Sequence, residues 1–306
     1  MASRRGRALD GVLLLDKPEG LSSNHALQRA RRILDARKAG HTGTLDPFAT
    51  GLMVLCFGEA TKFSGAMFHA DKRYTATLAL GEETDSGDCT GLPVAFPGQE
   101  PGRVVDEAEL RDVLRRFVGR ISQVPPMYSA LKRDGKPLYE YAREGVTLER
   151  EPREVHIYEL ELVSMQGRAA TIDVRCSKGT YIRTLAQDIG RALGCGAHLT
   201  ALRRTSTAGF GLEQAWTLEA LESLDDPASA LLAADKMLED LDAVTLDAAA
   251  ASRFMQGRKQ SAAAVGASGS TDKVRVYDPQ GKFLGTARRE DGWLQPDRLI
   301  SFKETT

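Results

Sequence analysis

The chain has 306 residues, 42% of them hydrophobic, 27% charged and 6% aromatic, proportions of an ordinary globular protein that exclude wholesale disorder and a disulfide-built scaffold. Its length exceeds a typical single core and predicts two domains. The formal net charge is −1, but residues 211–250 hold ten acids against one base, Lys236, which puts −9 on that segment and leaves +8 on the remainder. An acidic helix face beside an ordinary surface accounts for that split, and so does a basic remainder turned towards a polyanion. Clusters at Arg29, Arg31, Arg32, Arg37, Lys38 and at Arg203, Arg204 keep nucleic acid among the partners to consider. There is no apolar run of about 18 residues to span a bilayer, and the opening MASRRGRALDG lacks the apolar core of a secretory signal. No membrane association and a cytoplasmic location are therefore expected. Four scattered cysteines without a C-x-x-C pair (Cys56, Cys89, Cys176, Cys195) predict reduced structural thiols.

In chain order, GVLLLDKP reads as a buried strand broken by a turn at residues 16–20. SSNHALQRARRILDARK follows as a helix with Leu27, Ala30, Ile33 and Leu34 on one stripe and cap candidates at Ser22, Ser23 and Asn24. GHTGTLDPFATG, residues 40–51, is glycine-bracketed and predicts a loop; LMVLCFG predicts a second buried strand. Tyr74, Ala76, Leu78 and Leu80 alternate as in a half-buried strand that runs into the acidic turn GEETDSGDCTG. Residues 106–118 read as an amphipathic helix. The stretch ISQVPPMYSALKRDGKPLYEYAREG has no sustained period, and irregular segments of that length are often functional. TIDVRCS predicts a strand, and a helix begins at Tyr181 and ends at Gly194. Arg183 then falls in a first turn, where the helix dipole disfavours a cation and calls for an anion; Asp188 is one available partner. The acidic 211–250 stretch is Ala- and Leu-rich and reads as helical, SAAAVGASGS as a linker, and KVRVYD with KFLGTARRE as two strands around a turn.

Several chemistries fail by inspection. The sequence holds no G-x-x-x-x-G-K-[ST] loop, no complete dinucleotide turn and no G-x-S-x-G elbow. It holds no H-E-x-x-H, and its five histidines have no ligand spacing to one another. DSGD at residues 85–88 fits an acidic turn better than a cation loop. What remains is Asp46, alone in its glycine-bracketed loop. Followed by Pro47, it could cap a short helix over PFATG. Equally, the extended geometry imposed on a residue before proline could hold its carboxylate still as a nucleophile or general base.

Five stretches decide between these. GVLLLDKPEGLSS, GHTGTLDPFATGLMVLCFGEATK, DKRYTATLALGEETDSGD, VPPMYSALKRDGKPLYEYAREG and CSKGTYIRTLAQDIGRALGCGAHLTALRR resemble, in order, the successive motifs of the TruB family of bacterial tRNA pseudouridine-55 synthases. They span about residues 11–204. The tail resembles the small PUA domain that follows the catalytic domain in such proteins. The resemblance implies an α+β fold: a pseudouridine-synthase-like catalytic domain over residues 1–246 with a large, mostly antiparallel sheet, and a small β-rich PUA-like domain over 247–306. It implies an RNA-gripping insertion at about 121–146. The implied reaction isomerises uridine 55 in the tRNA T-loop to pseudouridine with neither metal nor organic cofactor, and the implied partner is tRNA, through its T-arm and T-loop. A monomer without an obligate protein partner is expected.

Residue by residue, the resemblance makes Asp46 the essential aspartate, Arg183 its paired cation and Tyr74 the tyrosine that stacks on the target base and is a candidate to act as its base. Tyr181 and Leu202 match residues shaping the uracil pocket, His41 the histidine associated with nucleotide flipping, and Asp88 a position near bound RNA. Lys17 and Pro18 are expected to support the loop structurally. His25 departs from the acidic or amide residue expected after SSN. Two other readings compete: an RNA-binding or RNA-folding protein whose pocket only grips a flipped base, and a hydrolase using Asp46 on a small substrate.

Overall fold

The computed structural model describes residues 6–266 and 271–302. A nine-stranded sheet carries the larger part of the chain. Its main path runs Gly11–Lys17, Thr50–Phe57, Ala197–Thr207, Lys72–Leu80, Ala169–Cys176, Arg153–Gln166 and Gly119–Gln123, with Ala39–His41 on the second strand and Phe210–Gly211 on the third. Every pairing is antiparallel except one, between Thr50–Phe57 and Ala197–Thr207, where Arg203 stands beside Thr50 and Arg204 beside Gly51. The chains crowd at that junction. A Cβ on Gly51, whose φ is +100°, would lie 2.3 Å from the Arg204 carbonyl oxygen, a clash only glycine avoids.

Both neighbouring strands at this end are apolar without alternation because both faces are covered. Leu13, Leu15, Met53, Leu55 and Phe57 pack with Ala26, Leu27 and Ala30 of the helix Ser23–Ile33, while Val12, Leu14, Leu52 and Val54 pack on the other side with Met237 and Leu238. Ser22 caps that helix, accepting from the His25 N–H, and Asp106 caps the helix Glu107–Arg116 in the same way. The helix Ile182–Ala192 buries Ile182, Leu185, Ala186 and Ile189.

The acidic stretch corrects its helical reading. Among the described residues it holds a five-residue helix, Leu218–Glu222, short 3-10 turns and the strand Asp242–Thr245. It runs as a strap along the edge of the sheet, exchanging backbone hydrogen bonds between Val12 and Leu232 and bonding Trp216 to Leu14 and Asp16. An edge strand left bare would invite association, and here it is covered. The acids serve locally: Asp226 caps a 3-10 turn, Asp247 caps the helix Ala248–Met255, and Asp235 accepts from the Tyr277 hydroxyl at 2.7 Å.

A second, five-stranded sheet runs Asp242–Thr245, Lys273–Tyr277, Phe283–Glu290, Trp293–Leu299 and Gln260–Ser261. It has its own core around Phe254, Val274, Val276, Ala287 and Leu294. Of the expected linker, Ser261 belongs to the strand Gln260–Ser261, residues 262–266 follow it within this unit, and residues 267–270 are outside the described residues. The two units are joined by side chains: Glu59 accepts from the Ser301 N–H at 2.6 Å, Lys62 donates to the Leu299 carbonyl at 2.9 Å, and the Phe63 and Phe283 rings stand 5.2 Å apart. No helix among the described residues is long and apolar enough to cross a membrane.

Candidate active site

Asp46 sits in an irregular segment with no helix after it. The capping alternative fails, since the Asp46 backbone carbonyl, not its side chain, accepts from the Ala49 N–H in a single turn. Both neighbours of Asp46 are pinned instead. The buried Ser23 hydroxyl donates to the Leu45 carbonyl at 2.8 Å and accepts from the Leu45 N–H at 2.7 Å. On the other side the Pro47 carbonyl accepts from the Gly20 N–H at 2.8 Å and from Lys17 Nζ at 3.3 Å. Lys17 has no exposed surface, and its remaining donors reach the carbonyls of Pro18 and Leu21 at 2.8 and 2.7 Å. Burial pulls Lys17 down to about 8, against Asp46 and Glu19, which raise it. The carboxylate is thus carried on a short span fastened at both ends to the strand-turn-helix that precedes it.

Arg183, from the first turn of its helix, supplies the facing cation. Its side chain is 5% exposed, and all of its described partners lie towards the site: Asp46 Oδ2 at 3.0 Å from Nε, Asp88 Oδ2 at 3.4 Å, and the carbonyls of Ser86 and Tyr128 at 3.0 and 2.5 Å. Asp188, the alternative partner, is not among them. Asp46 keeps 35% of its side chain exposed, so the pair is half open to an incoming ligand. Burial pushes the Asp46 carboxyl above its ordinary value; Arg183 pulls against that rise and Asp88 adds to it. Asp88 is itself locked into the acidic turn, accepting from Ser86 Oγ at 2.8 Å, Thr90 N–H at 3.0 Å and Thr90 Oγ1 at 2.6 Å.

A cavity of about 350 Å³ opens over this pair and is lined by Asp46, Tyr74, Tyr181, Arg183 and Leu202, among others. Five of the seven residues singled out in the sequence therefore meet at one place, although they come from a loop, two strands and a helix start. The other two stand behind it. Asp88 is buried against Arg183, not open to the cavity, and His41 lies on the short strand Ala39–His41, outside the lining, with Nδ1 buried and unpartnered. Burial and the Arg204 charge lower the His41 pKa. Burial raises both tyrosines, and the Arg204 charge pulls against the rise at Tyr74. Tyr181 is held by its backbone, donating to Gln123 Oε1 at 3.1 Å and accepting from Gln123 Nε2 at 3.3 Å.

The basic pair Arg203 and Arg204 divides between two settings. Arg203 forms a two-point ion pair with Asp16 at 2.6 and 3.1 Å. Arg204 is 3% exposed and lines the cavity. Ser23, Gln123 and Arg204 are site residues that the sequence did not reveal, because each acts through a partner far away in the chain. Among the described residues no cluster of three or more His, Cys, Asp or Glu could hold a metal ion.

Comparison with known proteins gives this arrangement its kinship. Residues 31–182 match the TruB family pseudouridylate synthase N-terminal domain, residues 183–246 the tRNA pseudouridylate synthase B C-terminal domain, and residues 243–300 the pseudouridine synthase II TruB C-terminal domain. A tRNA pseudouridine synthase B from Burkholderia mallei (strain NCTC 10247) is 55% identical over 299 residues, 96% of this chain and 98% of that protein. One from Bordetella avium (strain 197N) is 69% identical over 238 residues, 78% of this chain and 97% of that protein. Among solved structures, a chain of a Cbf5-Nop10-Gar1 complex has a TM-score of 0.70 at 24% identity, covering 94% of this chain and 84% of that one. A chain of an H/ACA RNP bound to a substrate RNA containing 2′-deoxyuridine has a TM-score of 0.71 at 23% identity, covering 95% and 85%. At such identities the two structures speak for the fold alone. With its mixed α/β sheet, its pinned aspartate and relatives this similar over nearly their whole length, the chain belongs to the TruB family of pseudouridylate synthases, which are isomerases.

Proposed function

We propose that this chain converts uridine 55 in the T-loop of tRNA to pseudouridine, with Asp46 as the residue that begins the rearrangement. The coarser activity, pseudouridine formation in tRNA, is the one its relatives' names carry. The observation behind the finer reading is the half-exposed Asp46 carboxylate, paired with a buried Arg183 at the floor of a cavity walled by two tyrosines. In the reaction the bond from N1 of uracil to C1′ of ribose breaks, a bond from C5 to C1′ forms, the hydrogen on C5 leaves as a proton, and N1 takes up a proton. Reactant and product are isomers, so no external electrons or phosphoryl groups are needed.

Each residue has a part in this reading. Arg183 favours the ionised form of Asp46, which then acts on the ribose or the base. The target nucleotide must first leave its stack, at a cost of a few kcal/mol, and stacking on an aromatic face returns about 1–3 kcal/mol per base. Tyr74 supplies that face, Tyr181 and Leu202 shape the uracil pocket, His41 assists flipping, and Asp88 steadies Arg183 near the RNA. The segment after Gln123, with its short hairpin Lys132–Arg133 and Lys136–Pro137 and the helix Leu138–Arg143, grips the T-arm through its phosphates. The C-terminal sheet is the PUA-like RNA-binding unit, and we place its start at the strand Asp242–Thr245. The protein acts as a monomer in the cytoplasm and needs no cofactor.

The test uses T-arm RNA labelled with tritium at C5 of the target uridine. The chain should release tritium from that position, and the Asp46→Asn variant should bind the RNA yet release none. Turnover by Asp46→Asn, or no release from that uridine by the parent chain, would sink the proposal.

A further inference from the structure

Arg204 is a buried cation with no carboxylate within ion-pair distance among the described residues. Burying a charge without a counter-ion is costly unless its donors are used and its place serves something. Two of its donors are held by backbone around the site: Nε donates to the Leu52 carbonyl at 2.6 Å and Nη2 to the Gly43 carbonyl at 3.3 Å. The Gly43 turn packs close against the guanidinium, since a Cβ there would stand 3.3 Å from Nη1. Arg204 is also the direct cross-strand partner of Tyr74, and residues so paired have Cβ atoms about 4.5–5.5 Å apart on one face. The guanidinium charge also acts on the Tyr74 phenol, opposing the rise that burial causes there.

We propose that Arg204 is a positioning residue of this site, fixing the Tyr74 hydroxyl and the Gly43 turn to each other from beneath the cavity. An arginine only donates, so the Tyr74 oxygen accepts from it and the phenol proton is turned towards the cavity. The charged groups that face Tyr74 are Arg204, Asp46 and, when ionised, Cys176, and Lys72 lines the same cavity. Of these only Arg204 both opposes Tyr74 in the strand register and holds the loop that leads to Asp46. The stacking face and the carboxylate are thereby set on one cation, three residues before Asp46 on the loop side and directly across the ladder on the other. The inference rests on the proposed isomerase reading of the same site.

The experiment measures single-turnover tritium release and RNA affinity for Arg204→Met, Arg204→Lys, Tyr74→Phe and the Arg204→Lys/Tyr74→Phe double variant, using C5-tritiated T-arm RNA. Misplacing a reacting group by about 1 Å costs on the order of 100-fold, so Arg204→Met should lose about that much rate while its Kd stays within about threefold. Arg204→Lys keeps the charge without the fork and should lose about tenfold. Because Arg204 acts through the Tyr74 hydroxyl, adding Arg204→Lys to Tyr74→Phe should cost less than about threefold more. The proposal is overturned if the two losses multiply, if Arg204→Lys keeps the full rate, or if a weaker Kd accounts for the whole loss. If Arg204→Met fails to melt cooperatively, the lysine variant and the cycle decide alone. A parent enzyme that releases no tritium overturns the isomerase reading and this inference with it, whereas normal release with an intact Arg204→Lys rate overturns only this inference.

Discussion

Lys17 Nζ, with no exposed surface, lies 3.3 Å from the carbonyl oxygen of Pro47, the residue after Asp46. Three carbonyls share this one ammonium. Lys17→Met keeps the length of the side chain and removes every donor, leaving buried acceptors unsatisfied. A loss of about 2–4 kcal/mol is expected, measured as a lower urea midpoint at an unchanged slope, together with a slower single-turnover rate. A variant as stable as the parent would contradict the pinning role.

Asp46→Asn keeps shape and removes charge. Binding of T-arm RNA should change by less than about threefold while pseudouridine formation falls by at least about 1,000-fold, the pattern of a group used only in the reaction. Quantifying both on one preparation separates this outcome from a binding defect.

The pH dependence follows from the direction of the Asp46 shift. Burial raises its pKa above the ordinary value, so the working carboxylate is lost, as pH falls, at a higher pH than the usual 3.9 or so of an aspartate. The acid limb of the single-turnover rate should lie above that value. Arg183→Gln removes the cation that opposes the shift and should move the limb to still higher pH. A limb that stays in place or moves to lower pH would show that Arg183 does not hold Asp46 ionised.

Lys132 and Arg133, the first strand of the hairpin, are exposed and have no carboxylate partner among the described residues, whereas nearby Lys136 is paired with Glu144. Replacing either by Ala should weaken RNA binding and lower the slope of log K against log salt by about one for each phosphate the missing side chain had neutralised. Titrations at several salt concentrations test this. An unchanged slope would place the RNA elsewhere.

The sequence made Arg183 legible because a cation in a first helical turn asks for an anion nearby, and its motif pointed to Asp46. The strands Gly11–Lys17 and Thr50–Phe57 were legible as unbroken apolar runs. The strap over residues 211–247 was not, because its Ala and Leu content suits a helix while its backbone is drawn out by bonds to Val12 and Leu14, a tertiary choice that propensity cannot anticipate. Arg204 was missed for a similar reason. In the sequence it is one of two adjacent arginines, and only the alternation of a strand sends Arg203 out to Asp16 and Arg204 inward.

The strand Ala197–Thr207 lies between Thr50–Phe57 and Lys72–Leu80, which do not touch each other along their ladders. During synthesis both earlier strands therefore wait with open edges for more than a hundred residues. The ribosome must deliver nearly two-thirds of the chain before either edge can close, and Tyr74 has no cross-strand arginine until then. A nascent chain stalled before residue 197 would carry two strands whose facing edges are not yet bridged and no finished site, so the same stroke of assembly that seals the sheet also switches the enzyme on.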